Sequence, residues 1–250
     1  MQVDVLALAP HPDDIETTCS GTIVKMLSQG YKVAICDLTQ GEMGSRGSKE
    51  IRKEELTEAA KIMGLTARVN LKIPDGWVEN TKENKFKVIE VIRKFRPKIV
   101  IAPYWVDRHP DHQTTGQLVE QATFMAGLKN IKTESEPYRP KRVLYAMFRT
   151  EFQPSFIVDI SETFKTKMKA IQAYKSQFFV PGAKTSNEPV SYISTPAFME
   201  LLESRSRYYG SLIGRKYGEP FLIREVLELN DPVSFFDGIA NEGLIYTRTF

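Results

Sequence analysis

The chain has 250 residues, 42% hydrophobic and 26% charged, which suits a globular protein with a sizeable core. Its 34 basic and 31 acidic residues leave a net charge of +3, which argues against a nucleic-acid partner and against a charged disordered tail. No apolar run is long enough to span a bilayer, and the two cysteines, Cys19 and Cys36, sit in apolar segments as small core residues rather than as a disulfide framework.

Val3–Ala9 predicts a strand, and Asp14–Gln29 a helix closed by Gly30. Tyr31–Leu38 predicts a second strand, followed by a glycine-rich loop, TQGEMGSRGS. A helix over Lys49–Met63 stops at Gly64, and a short strand over Val69–Ile73 runs into Pro74-Asp75-Gly76. Asn84–Phe95 predicts a helix, Ile99–Pro103 a strand and His112–Leu128 a helix. Short β-branched runs alternating with amphipathic helices predict a parallel sheet covered on both faces. The fold class expected is α/β, a doubly wound, Rossmann-like, mostly parallel sheet with an irregular α+β C-terminal part. In that part, Arg142–Phe148, Phe156–Ile160 and Phe221–Leu229 predict strands, and Glu162–Ser176 and Thr195–Gly210 predict helices. Pro181–Pro189 is turn-rich and predicts an exposed loop.

No repeat or linker divides the sequence, so one domain over 1–250 is expected. Residues 1–130 would form the Rossmann-like half. Residues 131–250 would supply substrate contacts and a surface for association into a homo-oligomer. The sequence opens directly on a strand-like segment, without a basic n-region or cleavage site, and a cytoplasmic protein with no membrane or nucleic-acid partner is expected.

The chain has three histidines. His11 lies in APHPDD, and His109 and His112 lie in DRHPDH; both motifs directly follow apolar strands. In an open parallel sheet, ligands bind beyond the carboxyl ends of the strands where strand order reverses. The first and fourth strands flank that point, so two segments a hundred residues apart would meet in one crevice. HPDD alone reads equally well as a turn with an aspartate helix cap. Two such motifs, using every histidine, favour a metal site. His11, Asp14 and His112 would offer two imidazoles and a carboxylate, enough for a catalytic zinc with a position left for water. Ferrous iron suits the same donors. Asp13 has the character of a general base beside that water. Asp111 could accept a hydrogen bond from His109 and favour a cationic ring, which would stabilise an oxyanion or protonate a leaving amine. GEMGSRGS lacks the Walker lysine and the GxGxxG spacing, and reads equally as a flexible loop or a substrate contact. A nucleotide-binding or non-catalytic Rossmann-like protein is disfavoured by the missing glycine fingerprint after the first strand.

The pairing of APHPDD with HPDH resembles the LmbE/PIG-L-like superfamily of metal-dependent N-deacetylases. Within it, CDLTQGEMGSRGS, IRKEE, KIMG, DRHPDH and AYKSQF resemble the bacillithiol-pathway enzymes that deacetylate N-acetylglucosaminyl malate. The resemblance implies His11, Asp14 and His112 as metal ligands, Asp13 as base, and His109 with Asp111 as a charge-stabilising pair. It also implies a substrate-facing Arg52 and a tyrosine from the second half, placed at Tyr192. Where some relatives carry a tyrosine two residues before the first histidine of HPDH, this chain has Asp107. A small-molecule glycoside is the substrate expected, with Arg52 and Arg108 on the site rim binding the two carboxylates of a malate aglycone. Another sugar deacetylase or a thiol-conjugate amidase of the same superfamily is the alternative.

Overall fold

A computed structural model describes residues 1–182 and 189–237. Its centre is a seven-stranded sheet built from β1 (Val5–Ala9), β2 (Val33–Asp37), β3 (Ala67–Asn70), β4 (Ile99–Pro103), β5 (Arg142–Ala146), β6 (Phe156–Asp159) and β7 (Gly218–Leu222). The strand order is β3-β2-β1-β4-β5-β7-β6. The first five are parallel, while β7 runs antiparallel to both β5 and β6.

Every residue of β1 and β2 is buried, as required of central parallel strands covered on both faces. Alternation divides the core into two layers. Leu6 and Leu8 pack with Val88, Ile92 and Leu118 from α4 (Lys82–Phe95) and α5 (Pro110–Ala126). Val5, Ala7 and Ala9 face the other way, against Ile15, Ile23 and Ala170 from α1 (Asp14–Thr18), α2 (Ser20–Ser28) and α6 (Phe164–Gln172). Between β2 and β3 lies α3 (Lys49–Met63), capped by the Ser48 hydroxyl and ended by Gly64 at φ 75°, the left-handed conformation glycine adopts without strain. Helix α7 (Pro196–Ser211) is capped by Thr195, and α8 (Pro232–Asp237) lies last among the described residues.

β1 pairs in parallel with both β2 and β4. The chain leaves β1 towards one edge and β4 towards the other, so the strand order reverses between them. The ends of β1 and β4 therefore open the crevice expected from the sequence.

Several boundaries differ from expectation for physical reasons. The helix expected over Asp14–Gln29 breaks at Cys19 (φ −138°) into α1 and α2. Residues from the second half take over the backbone groups at the break. The Glu219 carboxylate accepts the Gly21 and Thr22 N–H groups at 3.0 and 2.7 Å. Lys167 Nζ donates to the Thr18 carbonyl and to Glu219, at 3.3 and 2.6 Å, and Arg205 Nη2 donates to the Thr17 carbonyl at 3.0 Å. β3 begins two residues earlier than expected because Ala67–Asn70 pairs residue for residue with Ala34–Asp37. The last strand is Gly218–Leu222 rather than Phe221–Leu229, since this stretch bridges β5 and β6. Residues 183–188 of the expected loop lie outside the described residues.

Candidate active site

β1 ends at Ala9, and the chain turns through Pro10 into α1. Asp13, the residue before the helix, has φ 105°, a left-handed conformation unfavourable for a non-glycine side chain and characteristic of strained functional turns. This turn brings His11, Asp13 and Asp14 to the crevice. From the other side, α5 starts at Pro110, and the His109 ring caps it by accepting the Asp111 N–H at Nδ1 (3.2 Å).

The three expected ligands come together. One Asp14 oxygen lies 3.0 Å from His11 Nδ1, and the other lies 3.3 Å from His112 Nε2. One potential ligand atom from each of His11, Asp14 and His112 lies within 4.8 Å of the others. Two imidazole nitrogens and one carboxylate oxygen at this separation fit a catalytic divalent metal. Ligand atoms of His11, His109 and Asp111 also lie within 4.8 Å of one another. The two groups differ in what surrounds their imidazoles. His112 Nδ1 lies 3.1 Å from Asp107 Oδ1, leaving Nε2 directed at Asp14, an orientation by an outer carboxylate that is usual for ligating histidines. His109 instead spends Nδ1 on the helix N-terminus.

Burial and charge act in opposite directions here. Burial pushes the Asp14 carboxyl up, but the neighbouring His112 and His11 hold it well below the usual carboxylate range. Burial disfavours protonated His112, yet the Asp14 charge and the bond to Asp107 raise it to about 9. Asp13 is pushed up to about 7 by burial, against the Arg52 charge 3.9 Å away. His109 is pushed down by burial and by repulsion from His112 and His11.

The last shift, with the cap geometry, alters the expected His109–Asp111 pair. The Asp111 carboxylate accepts the N–H groups of Gly76 (2.8 Å) and Val78 (3.3 Å) and lies 3.4 Å from His11 Nε2. Asp111 thus anchors the turn after β3, its carboxylate bound to backbone N–H groups, while burial and the neighbouring histidines disfavour the charged form of His109. With Nδ1 accepting, the neutral ring carries its proton on Nε2.

Arg52 lines the cleft, as a substrate-facing residue would, but lies deeper than the rim position expected. It is 6% exposed, well inside the rim, and its guanidinium bonds the Gln177 side-chain oxygen and faces Asp13. The glycine loop wraps it: a Cβ on Gly41 (φ +70°) would lie 2.1 Å from Arg52 Nη1, and one on Gly44 would lie 2.8 Å from Nη2. Arg108 is exposed and lines the cleft. Tyr192 is 55% exposed, with its ring under the Arg149 guanidinium and edge-on to Phe198.

The cleft over these residues holds about 300 Å³, and Asp75, Arg149 and Arg205 also line it. Sequence reasoning missed all three, together with Asp107 and Gln177. Asp75 Oδ1 lies 3.0 Å from His11 Nε2. Asp75 and Arg149 follow β3 and β5, so the strand-end rule applied to those strands would have found them.

Residues 6–123 match the PIG-L family, described as GlcNAc-PI de-N-acetylase. A diacetylchitobiose deacetylase of Thermococcus kodakarensis is 32% identical over 227 residues, 86% of this chain and 80% of that protein. The chain belongs to the LmbE/PIG-L-like deacetylase family. A probable N-acetyl-α-D-glucosaminyl L-malate deacetylase of Bacillus cereus is 29% identical over 196 residues, 71% of this chain and 84% of its own length. A crystal structure of a conserved protein from Thermus thermophilus superposes with a TM-score of 0.83 at 37% identity, covering 92% of this chain and 98% of that one. Membership in this family replaces the nucleotide-binding alternative. Among the described residues, no helix is long and apolar enough to cross a membrane.

Proposed function

We propose that this protein hydrolyses the acetamide of an N-acetylglucosaminyl conjugate, with N-acetylglucosaminyl malate of the bacillithiol pathway as its substrate. The observation that carries the reading is the placement of Asp13, a buried carboxyl whose charged form burial disfavours, on the cleft wall beside the His11–Asp14–His112 triad. A carboxyl in that position, raised by burial above the usual carboxylate range, can both accept and return a proton. The malate deacetylase among the relatives and the arginines of the cleft support the choice of an anionic aglycone.

His11, Asp14 and His112 would hold the metal, zinc or ferrous iron. When bound, it supplies a Lewis acid and a water acidified towards neutrality. Asp13 takes the proton of the attacking water, and Arg52 at its flank stabilises the carboxylate form before that transfer. As the water oxygen bonds the acetyl carbon, negative charge develops on the carbonyl oxygen. The Nε2–H of neutral His109 donates to it, a preorganised donor worth more in transition than in ground state. Asp13 then returns its proton to the glucosamine nitrogen as the C–N bond breaks, giving acetate and the free amine. Arg108, exposed at the cleft edge, meets the aglycone.

The test is release of the free glucosamine amine by metal-loaded protein from N-acetylglucosaminyl malate, diacetylchitobiose and a glucosaminyl amide thiol conjugate. The proposal predicts the highest kcat/KM on the malyl glycoside. Preference for diacetylchitobiose or the thiol conjugate would reject malate as the aglycone.

A further inference from the structure

The cleft is electrically lopsided. Its acidic groups, Asp13, Asp14, Asp75 and Asp111, cluster around the histidines. Arg108, Arg149 and Arg205 also line it, and among the described residues none of these three has a carboxylate within 4 Å. Arg205 is committed to structure, donating to the Phe148 and Thr17 carbonyls at 2.7 and 3.0 Å. Arg149 is different. Its guanidinium lies over the rings of Phe198 and Tyr192, 4.7 and 5.4 Å from their centroids. Among the described residues, no protein acceptor takes a guanidinium N–H of Arg149. Burial and the nearby Arg108 both oppose its charge, with Asp14 acting the other way.

A partly buried cation without a counter-ion is costly unless a ligand supplies one. Stacking on two aromatic faces holds the guanidinium plane while leaving its edge free to form paired hydrogen bonds. The backbone fixes its position relative to the chemistry. Arg149 N donates to Asp107 Oδ2 at 2.9 Å, while the other oxygen of Asp107 holds His112. One carboxylate thus ties the start of the Arg149 side chain to a ligand of the expected metal.

We propose that Arg149 is the specificity-determining residue for the aglycone: its guanidinium, shelved on Phe198 and Tyr192, binds a carboxylate or phosphate oxygen pair on the group attached to the glucosamine. This rests on the deacetylase reading above and deepens it. Arg149, rather than Arg52, becomes the partner of Arg108, because Arg52 is occupied by Gln177 and Asp13.

The experiment measures kcat and KM for metal-loaded wild type, Arg149→Met and Arg149→Lys. The substrates are N-acetylglucosaminyl malate, N-acetylglucosamine 1-phosphate and neutral methyl N-acetylglucosaminide. The expected result is that Arg149→Met lowers the ratio of malyl to methyl kcat/KM by about 10- to 100-fold, the size of a lost charge-assisted pair. The loss should fall mainly on KM, with partial recovery in Arg149→Lys. A ratio unchanged in Arg149→Met, including equal loss on both glycosides, overturns the inference. If wild type prefers the 1-phosphate over the malyl and methyl glycosides, and Arg149→Met abolishes that preference, malate fails as the aglycone and the role of Arg149 stands. If wild type releases acetate from none of these three, the inference falls; release from diacetylchitobiose would then keep the deacetylase reading, and none there either would remove that reading too.

Discussion

Asp107 Oδ1 lies 3.1 Å from Nδ1 of His112, a ring whose other nitrogen faces Asp14. Asp107 is buried and its carboxyl is lowered to about 2: burial opposes the charge, but the His112 contact and the His109 N–H outweigh it. It therefore acts as an anion that fixes which His112 nitrogen is available to a metal. Asp107→Asn should weaken metal affinity about 10- to 100-fold, the usual cost of losing an outer carboxylate. Competition with a chelator of known affinity measures this directly, and excess metal should restore activity. Unchanged affinity would separate Asp107 from the metal site.

What the sequence made legible follows from where the signals are local. β1, β2 and β4 are short apolar runs with a punctuated end, and HPDD and HPDH sit at two of those ends, so the crevice and its triad could be named from spacing alone. The break between α1 and α2 was hidden because the groups that satisfy it, Lys167, Arg205 and Glu219, lie about 150 to 200 residues away in sequence. Arg52 resembled a rim residue because helix position does not reveal that Gly41 and Gly44 fold over it. Asp111 is adjacent to His109 in sequence pattern, but its carboxylate turns to the Gly76 and Val78 N–H groups. Arg149 carries no motif; its one signal is its place directly after the expected strand Arg142–Phe148, and the sheet order then sets that strand end beside β4.

The staple across the helix break gives a stability prediction. Lys167 and Glu219 are both buried and 2.6 Å apart. Removing the cation leaves a buried carboxylate with only the Thr22 and Gly21 donors. Lys167→Met should destabilise the fold by about 3–5 kcal/mol, measured by denaturant unfolding. The double variant with Glu219→Gln should be less destabilised than Lys167→Met alone. A double variant no more stable than the single would show that the ion pair does not account for the loss.

The two thiols predict the alkaline limb of stability. Burial pushes Cys19 up to about 12 and Cys36 higher still, whereas unfolded thiols ionise near about 8.5. Above that pH the unfolded state loses protons that the folded state retains. The thiol contribution is therefore fully present below pH ~8.5 and declines as pH rises towards about 12, by up to about 1.4 kcal/mol per pH unit per thiol. Between pH 8.5 and 10, a Cys19→Ala/Cys36→Ala variant should lose less stability than wild type. Parallel pH profiles would contradict this account. Native protein at pH 8 should also resist thiol alkylation until it opens.

The most direct test of the site measures metal content and turnover together in Asp13→Asn. Asp13 lies beside the triad without belonging to it, so wild type and the variant should each bind one divalent ion per chain. Its acetate release from an N-acetylglucosaminyl conjugate should fall by about 10²–10⁴-fold, the contribution expected of a general base. Near-native turnover in the metal-loaded variant would contradict the account.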